Sequence, residues 1–259
     1  MTERAVRFVL LSHHYCGEAV LQSCLAGHPR VKMYGELFHP SESCREDNAG
    51  PGNAPYRIGE DGRAYLAGHG FRLRANSAAR AVGFAMAYGD ARVDRFIATA
   101  WDFLIENQDI RVLHLTRSNL LMAHLASEVA ERIPGWLDPF DPRQSHEVEP
   151  FSLPGSACRE ALDRLITLQM WGRQAFAGHP FLELDYEKDI IGDFRGAMLR
   201  ACKFIGVDPT DPRFEIPSPT PRPQKSPAEQ LINFAELQED FRCSPYEAEF
   251  QTEVAGASR

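Results

Sequence analysis

The sequence has no long apolar run. Stretches such as FVLL and FAMAY are far shorter than the roughly 20 apolar residues that span a bilayer. The N-terminal MTERAVRF contains an acid and passes directly into a strand-like pattern, so we expect no signal peptide. The six cysteines are scattered and form no CxxC pair, which favours free thiols and a cytoplasmic location over a disulfide framework.

Positive charge is also scarce. The chain carries 28 Lys and Arg residues against 36 Asp and Glu, a formal net charge of −8. This balance argues against a general nucleic-acid or anionic-membrane binder. We therefore expect a small-molecule partner, no nucleic acid and no membrane, and we leave homo-oligomerisation open. The 259 residues, 44% hydrophobic and 25% charged, suit an ordinary globular α/β domain.

Short apolar runs alternate with helical patterns along the chain. The predicted strands are 6–12, 31–34, 81–88, 111–116 and 181–186. The predicted helices are 17–27, 94–107, 118–133, 156–177, 195–207 and 228–241. The alternation predicts an α/β fold with a central parallel sheet flanked by helices. We expect one domain over 1–259, with loop or lid insertions at about 41–69 and 134–154 and a C-terminal tail at about 209–259.

The segment SHHYCGEA joins the first predicted strand to the first predicted helix. In parallel α/β sheets, ligands bind at the carboxyl ends of the strands, beside such loops. We call residues 13–19 the first loop and predict that it lines the functional site.

Four ordered passages resemble the bacterial sulfotransferase family. HPRVKMYGELFHP matches the family pattern HP…YGELF, and AVGFAMAY is similar to a strand of the form VVGFK. IRVLHLTRSNLL is similar to IKVIHLVRRNLL, and HPFLELDYEKDI with LRACKFIGVDP is similar to the later part of the family. Together they span nearly the whole chain. The resemblance implies the sulfotransferase-type variant of the phosphate-loop nucleotide-binding fold.

The resemblance also implies an activity. Members transfer a sulfuryl group from 3′-phosphoadenosine 5′-phosphosulfate to an acceptor hydroxyl, here a hydroxyl of a small molecule. Backbone N–H groups of the loop hold the phosphosulfate, which assigns cofactor contacts to the loop positions Cys16, Gly17, Glu18 and Ala19. Glu36 in YGELF matches the family's catalytic carboxylate. Further candidates are His13 and His14 as proton acceptors, and Arg117, Ser127, Arg222 and Lys225 as cofactor contacts.

The first loop departs from the family pattern Pro-Arg-Ser-Gly-Ser-Thr. Aligned on Gly17, this chain reads His-Tyr-Cys-Gly-Glu-Ala. A carboxylate at Glu18 would repel a phosphosulfate, or would itself occupy the anion position at the helix N-terminus. The family's arginine and serine for the 3′-phosphate fall at Ser118 and Ala126, so Arg117 and Ser127 stand one residue away.

Three functions remain open from the sequence. The chain is a sulfotransferase with a variant donor site, an enzyme on this fold that no longer uses the sulfonucleotide and acts on a small molecule in biosynthesis, or a non-catalytic binding module. Cys16 as a nucleophile is a further alternative. We predict no metal site, because the potential ligands match no standard motif, although their chemistry suits zinc or another transition ion. These potential ligands are His13, His14, Cys16, Glu18, Glu36 and His39.

Overall fold

Five parallel strands form the central sheet, as predicted. The computed structural model describes residues 5–38, 60–89, 95–132, 148–217 and 225–251. The strands are β1 (Val6–Ser12), β2 (Val31–Glu36), β3 (Ala81–Ala87), β4 (Arg111–Thr116) and β5 (Phe181–Asp185). Their order across the sheet is β2-β3-β1-β4-β5.

Helices connect these strands. They are α1 (Glu18–Ala26), α2 (Gly62–Tyr65), α3 (Arg95–Glu106), α4 (Leu120–Arg132), α5 (Gly155–Ala175), α6 (Phe194–Phe204), α7 (Pro227–Gln230) and α8 (Phe234–Asp240). Single π-helical turns occupy Leu66–Gly70 and Tyr186–Ile191, and a 3₁₀ turn occupies Glu247–Phe250. Within the described ranges, no helix combines the length and apolarity that crossing a membrane requires.

The three inner strands are buried over most of their length because their sequences are apolar on both faces. In β1, the side chains from Phe8 to Ser12 are buried, and every residue of β3 is buried. Near-continuous apolar strands are typical of parallel sheets with helices on both sides. The central strand β1 pairs with β3 on one side and β4 on the other. The strand order therefore reverses at β1: β2 and β3 lie on one side of it, and β4 and β5 lie on the other. Ligands of such folds bind at the carboxyl end of the sheet where the order reverses.

By their contacts, the described residues form two compact units. The first contains residues within 1–116 and 169–219, and the second contains residues within 117–168 and 220–259. The first unit holds the sheet, with a core that includes Phe8, Leu10, Leu21, Leu113 and Met198. The second has its own apolar core, which includes Leu121, Leu125, Leu162, Leu237 and Phe241.

Two predicted elements differ from the structure. The expected helix at 228–241 is wrong as one element: it divides into α7 and α8, because Leu231 adopts an extended conformation and forms a parallel bridge with Phe151. The Asn233 side chain holds this break by exchanging hydrogen bonds with the backbone of Leu153 at 2.8 and 3.1 Å. In the expected loop at 41–69, residues Gly62–Gly70 are helical, whereas 41–59 and 134–147 lie outside the described residues.

Gly83 allows β3 to pack against β1. A Cβ added there would lie 2.5 Å from the Phe8 carbonyl oxygen and 2.6 Å from its ring. We expect Gly83→Ala to lower the free energy of unfolding by about 1–3 kcal/mol, because both neighbours are buried and cannot move cheaply. Urea denaturation measures the loss. Gly68→Ala is the matched control, since its Cβ would meet nothing within 4 Å; equal stability of the two variants would contradict this packing constraint.

Candidate functional site

The first loop turns sharply through two left-handed residues. Tyr15 has φ 65° and Gly17 has φ 85°. A Cβ at Gly17 would collide with the Tyr186 ring, which follows β5, so this position requires glycine for space as well as for conformation. Such turns direct successive backbone N–H groups into a common concavity, called a nest, that binds anions.

The Glu18 carboxylate occupies this nest. Its two oxygens accept hydrogen bonds from the Tyr15 and Cys16 N–H groups at 2.9 and 2.8 Å. Glu18 is the first residue of α1, where the helix dipole also favours negative charge. The residue is only 8% exposed, so the contact is shielded from water. The nest therefore holds an anion that belongs to the chain itself.

Glu36 is placed by an irregularity at the end of β2. The pairing of β2 with β3 shifts register between Tyr34 and Glu36, so that Glu36 pairs with Ala85. Such bulges bend a strand and redirect its side chains, and they are frequent beside functional sites. The half-buried Glu36 thus lies at the carboxyl end of β2, and its role in catalysis stays a prediction.

His14, Glu18 and Glu36 come together at this edge. One side-chain nitrogen or oxygen from each lies within 4.8 Å of the others. We call these three residues the acid–imidazole cluster. The His14 ring also lies close to Gly89, just after β3, where an added Cβ would be 3.6 Å from its Nε2 atom. The cluster thus combines the ends of β1 and β2 with the start of α1.

A polar network that is buried at Tyr88 and His114 and exposed at Glu183 and Arg173 lies beside the first loop. The Tyr88 hydroxyl bonds to His114 Nε2, and His114 Nδ1 lies 2.9 Å from a Glu183 carboxylate oxygen. Arg173 donates two hydrogen bonds to the same carboxylate, at 2.7 and 3.0 Å. The His13 ring contacts the Tyr88 ring edge-on, with centroids 4.9 Å apart. We call Tyr88, His114, Glu183 and Arg173 the Tyr88 network.

The Tyr88 network fixes the tautomer of His114. Burial lowers the pKa of this imidazole to about 4, even though the neighbouring Glu183 carboxylate raises it. The ring is therefore neutral near pH 7, with its proton on Nδ1 facing the carboxylate and with Nε2 accepting from the Tyr88 hydroxyl. Burial raises the pKa of Tyr88, so its phenol keeps this proton. The network orients Tyr88 rather than ionising it.

The other residues predicted for the site do not belong to the acid–imidazole cluster. Ala19 follows Glu18 in α1, and the Cys16 side chain is fully buried in the apolar core, which disfavours it as an accessible nucleophile. Arg117, Ser127 and Lys225 belong to the second unit. Arg117 is 2% exposed, and the Ser127 hydroxyl donates to the Ala123 carbonyl of its own helix at 3.3 Å. Lys225 is exposed. Arg222 and His39 lie outside the described residues.

Three residues near the loop were not singled out from the sequence. Tyr88 and Glu183 complete the network with His114, and Gly89 lies close to the His14 ring. Their position in the fold is the one feature by which the sequence could have indicated them. Tyr88 and Gly89 directly follow β3, and Glu183 lies within β5. Glu183 is a charged residue between the apolar residues Leu182 and Leu184 of β5.

Comparisons with known proteins give a structural likeness alone. No protein-family model matches the chain, and no curated protein matches it. A solved structure titled as a sulfotransferase from Alicyclobacillus acidocaldarius is similar, at 18% identity and a TM-score of 0.48. The match covers 97% of this chain and 98% of that one.

Removing the Glu18 carboxylate should take this acceptor away from the buried Cys16 N–H group and the partly buried Tyr15 N–H group. We expect Glu18→Ala to lower the free energy of unfolding by roughly 1–3 kcal/mol, and Glu18→Gln to lower it less, because the amide oxygen still accepts. Urea denaturation compares both with Glu215→Ala, which changes the charge equally at an exposed residue. If Glu18→Ala were as stable as this control, the nest contact would contribute nothing to the fold.

The neutral state of His114 predicts a loss of stability in acid. Its folded pKa of about 4 lies below the ordinary value of 6.5, so the unfolded chain binds the extra proton between these pH values. We expect the free energy of unfolding to fall by roughly 3 kcal/mol as pH drops through this window. The drop should be smaller in His114→Gln. Urea unfolding from pH 7 to pH 4 measures both, and identical pH profiles would contradict the assignment.

Proposed function

We propose that this chain is an enzyme that acts on a small molecule at the acid–imidazole cluster and does not hold a sulfonucleotide in its first loop. The observation that carries the proposal is the Glu18 carboxylate in the nest, bonded to the Tyr15 and Cys16 N–H groups. A donor phosphosulfate would need the same N–H groups that the carboxylate already uses.

Charge supports the exclusion of an anionic donor. Glu18 and Glu36 both present carboxylates to the cluster. A negative group about 4 Å from one carboxylate is repelled by about 1 kcal/mol in water and by several times more in a shielded site. The site therefore favours a neutral or cationic substrate over a phosphosulfate.

The same residues supply acid–base chemistry. A carboxylate and an imidazole positioned on one substrate can remove a proton and return it, the usual work of general acid–base catalysis. We assign Glu36 as the base and His14 as its partner, because both belong to the cluster. His13 is the remaining candidate, with its ring held against Tyr88. The substrate class that fits is a small molecule with an ionisable hydroxyl or amine.

Sulfuryl transfer to a small-molecule hydroxyl is the second candidate. The backbone of the first loop keeps the left-handed residues that form an anion nest, and four passages of the sequence resemble the sulfotransferase family. In this case Glu18 must leave the nest before 3′-phosphoadenosine 5′-phosphosulfate binds. Arg117, Ser127, Lys225 and Arg222 would then remain the proposed contacts to the donor, with Glu36 as the base.

Calorimetric titration with adenosine 3′,5′-bisphosphate separates these candidates. The titrations use wild type, Glu18→Ala and the charge-matched control Glu215→Ala, all in EDTA. We expect no binding to wild type or Glu215→Ala at millimolar nucleotide, because the nest is filled. Binding that appears only in Glu18→Ala would show that the carboxylate is what excludes the nucleotide.

Micromolar binding to wild type would overturn the proposal. It would favour the sulfotransferase alternative, in which Glu18 yields its place to the donor. A lack of binding to every variant would agree with the proposal and would mean that more than Glu18 separates this site from a sulfonucleotide site.

A further inference from the structure

We propose that the acid–imidazole cluster binds one divalent transition-metal cation, with His14, Glu18 and Glu36 as its protein ligands. The three residues come from the first loop, the first turn of α1 and the end of β2. The proposal uses the residues to which the proposed function assigns acid–base roles: with an ion bound, His14 and Glu36 act as its ligands, and without one they are left to act on the substrate.

The geometry of the cluster is close to that of a metal shell. One potential ligand atom from each residue lies within 4.8 Å of the other two. Ligand bonds of about 2.0–2.2 Å place neighbouring ligand atoms about 3 Å apart, so small side-chain rotations complete the shell. Glu18 provides the fixed point, since two backbone N–H groups already hold its carboxylate. His14 and Glu36 then close on the ion.

The Glu18 carboxylate has enough lone pairs to accept the two backbone hydrogen bonds and to bind a cation as well. A carboxylate offers about four acceptor positions, and the Tyr15 and Cys16 N–H groups use one on each oxygen. The remaining positions are available to a cation. Ligating carboxylates are commonly held by such outer hydrogen bonds, which fix their orientation.

The negative charge of the two carboxylates favours the binding of a cation to the cluster. Two carboxylates face one imidazole within a few ångströms. A divalent ion would balance the charge of the two carboxylates. The Tyr15 and Cys16 N–H groups neutralise part of the charge of Glu18.

The chemistry of the ligands limits which metal ions suit the site. One imidazole nitrogen with two carboxylate oxygens suits Mn²⁺, Fe²⁺ or Zn²⁺ better than an all-oxygen ion such as Mg²⁺. Three protein ligands leave at least one coordination position for water or a substrate oxygen, the pattern of catalytic rather than structural sites. A metal there would polarise that oxygen and assist its deprotonation.

Mn²⁺ binding tests the site directly. Tag-free protein is stripped with EDTA, exchanged into chelator-free buffer and titrated with Mn²⁺, and electron paramagnetic resonance counts the free ion. We expect one saturable equivalent in wild type and in Glu215→Gln, an exposed-carboxylate control. His14→Ala and Glu36→Gln should each weaken binding ~10-fold or more, since each removes a ligand.

Zn²⁺ should displace the bound Mn²⁺ in the same assay. This arm uses a Cys243→Ser background, because Cys243 is an exposed free thiol that would bind zinc by itself. Circular dichroism tests whether each variant is folded. If Glu36→Gln does not fold, Glu36→Asp provides a milder change at the same position.

Two results would overturn the site. One is the absence of saturable Mn²⁺ binding in wild type. The other is binding that both ligand variants retain unchanged, which would place the ion elsewhere. Because the nucleotide titrations are run in EDTA, their outcome does not decide this one.

Discussion

The carboxylate of Glu18 accepts hydrogen bonds from the backbone N–H groups of Tyr15 and Cys16, and the function proposed for the first loop rests on this contact. The turn through left-handed Tyr15 and Gly17 directs these donors inward, where they require an acceptor. In a nucleotide-binding loop a phosphate serves that purpose. Here the chain supplies its own anion one residue beyond the glycine, so the loop is complete without an anionic ligand.

Residues of neighbouring elements pack against the first loop. The Tyr186 ring packs where a Gly17 side chain would stand and thereby ties the loop to the end of β5. On another side, His13 lies against Tyr88, whose hydroxyl is held by His114 and through it by Glu183. Residues that follow β3 and β5 thus contact the first loop on two sides.

Much of the fold could be predicted from local patterns, but the site only in part. The strands follow from short apolar runs, and the place of Glu18 follows from its position at a helix N-terminus. The approach of Glu36 to His14 depends on a register shift in β2, which no spacing reveals. The break between α7 and α8 depends on Leu231 pairing with Phe151, a contact distant in sequence.

A carboxylate beside such a loop takes the place of an anionic ligand. Backbone N–H groups carry no side-chain identity, so a nest can hold an anion from solution or one that the chain supplies. A phosphate that binds from solution leaves the site ready for a nucleotide. The Glu18 carboxylate instead lies beside Glu36 and adds a second acidic group to this edge of the sheet. The proposed preference of the first loop for a cation over an anion rests on this pair of carboxylates.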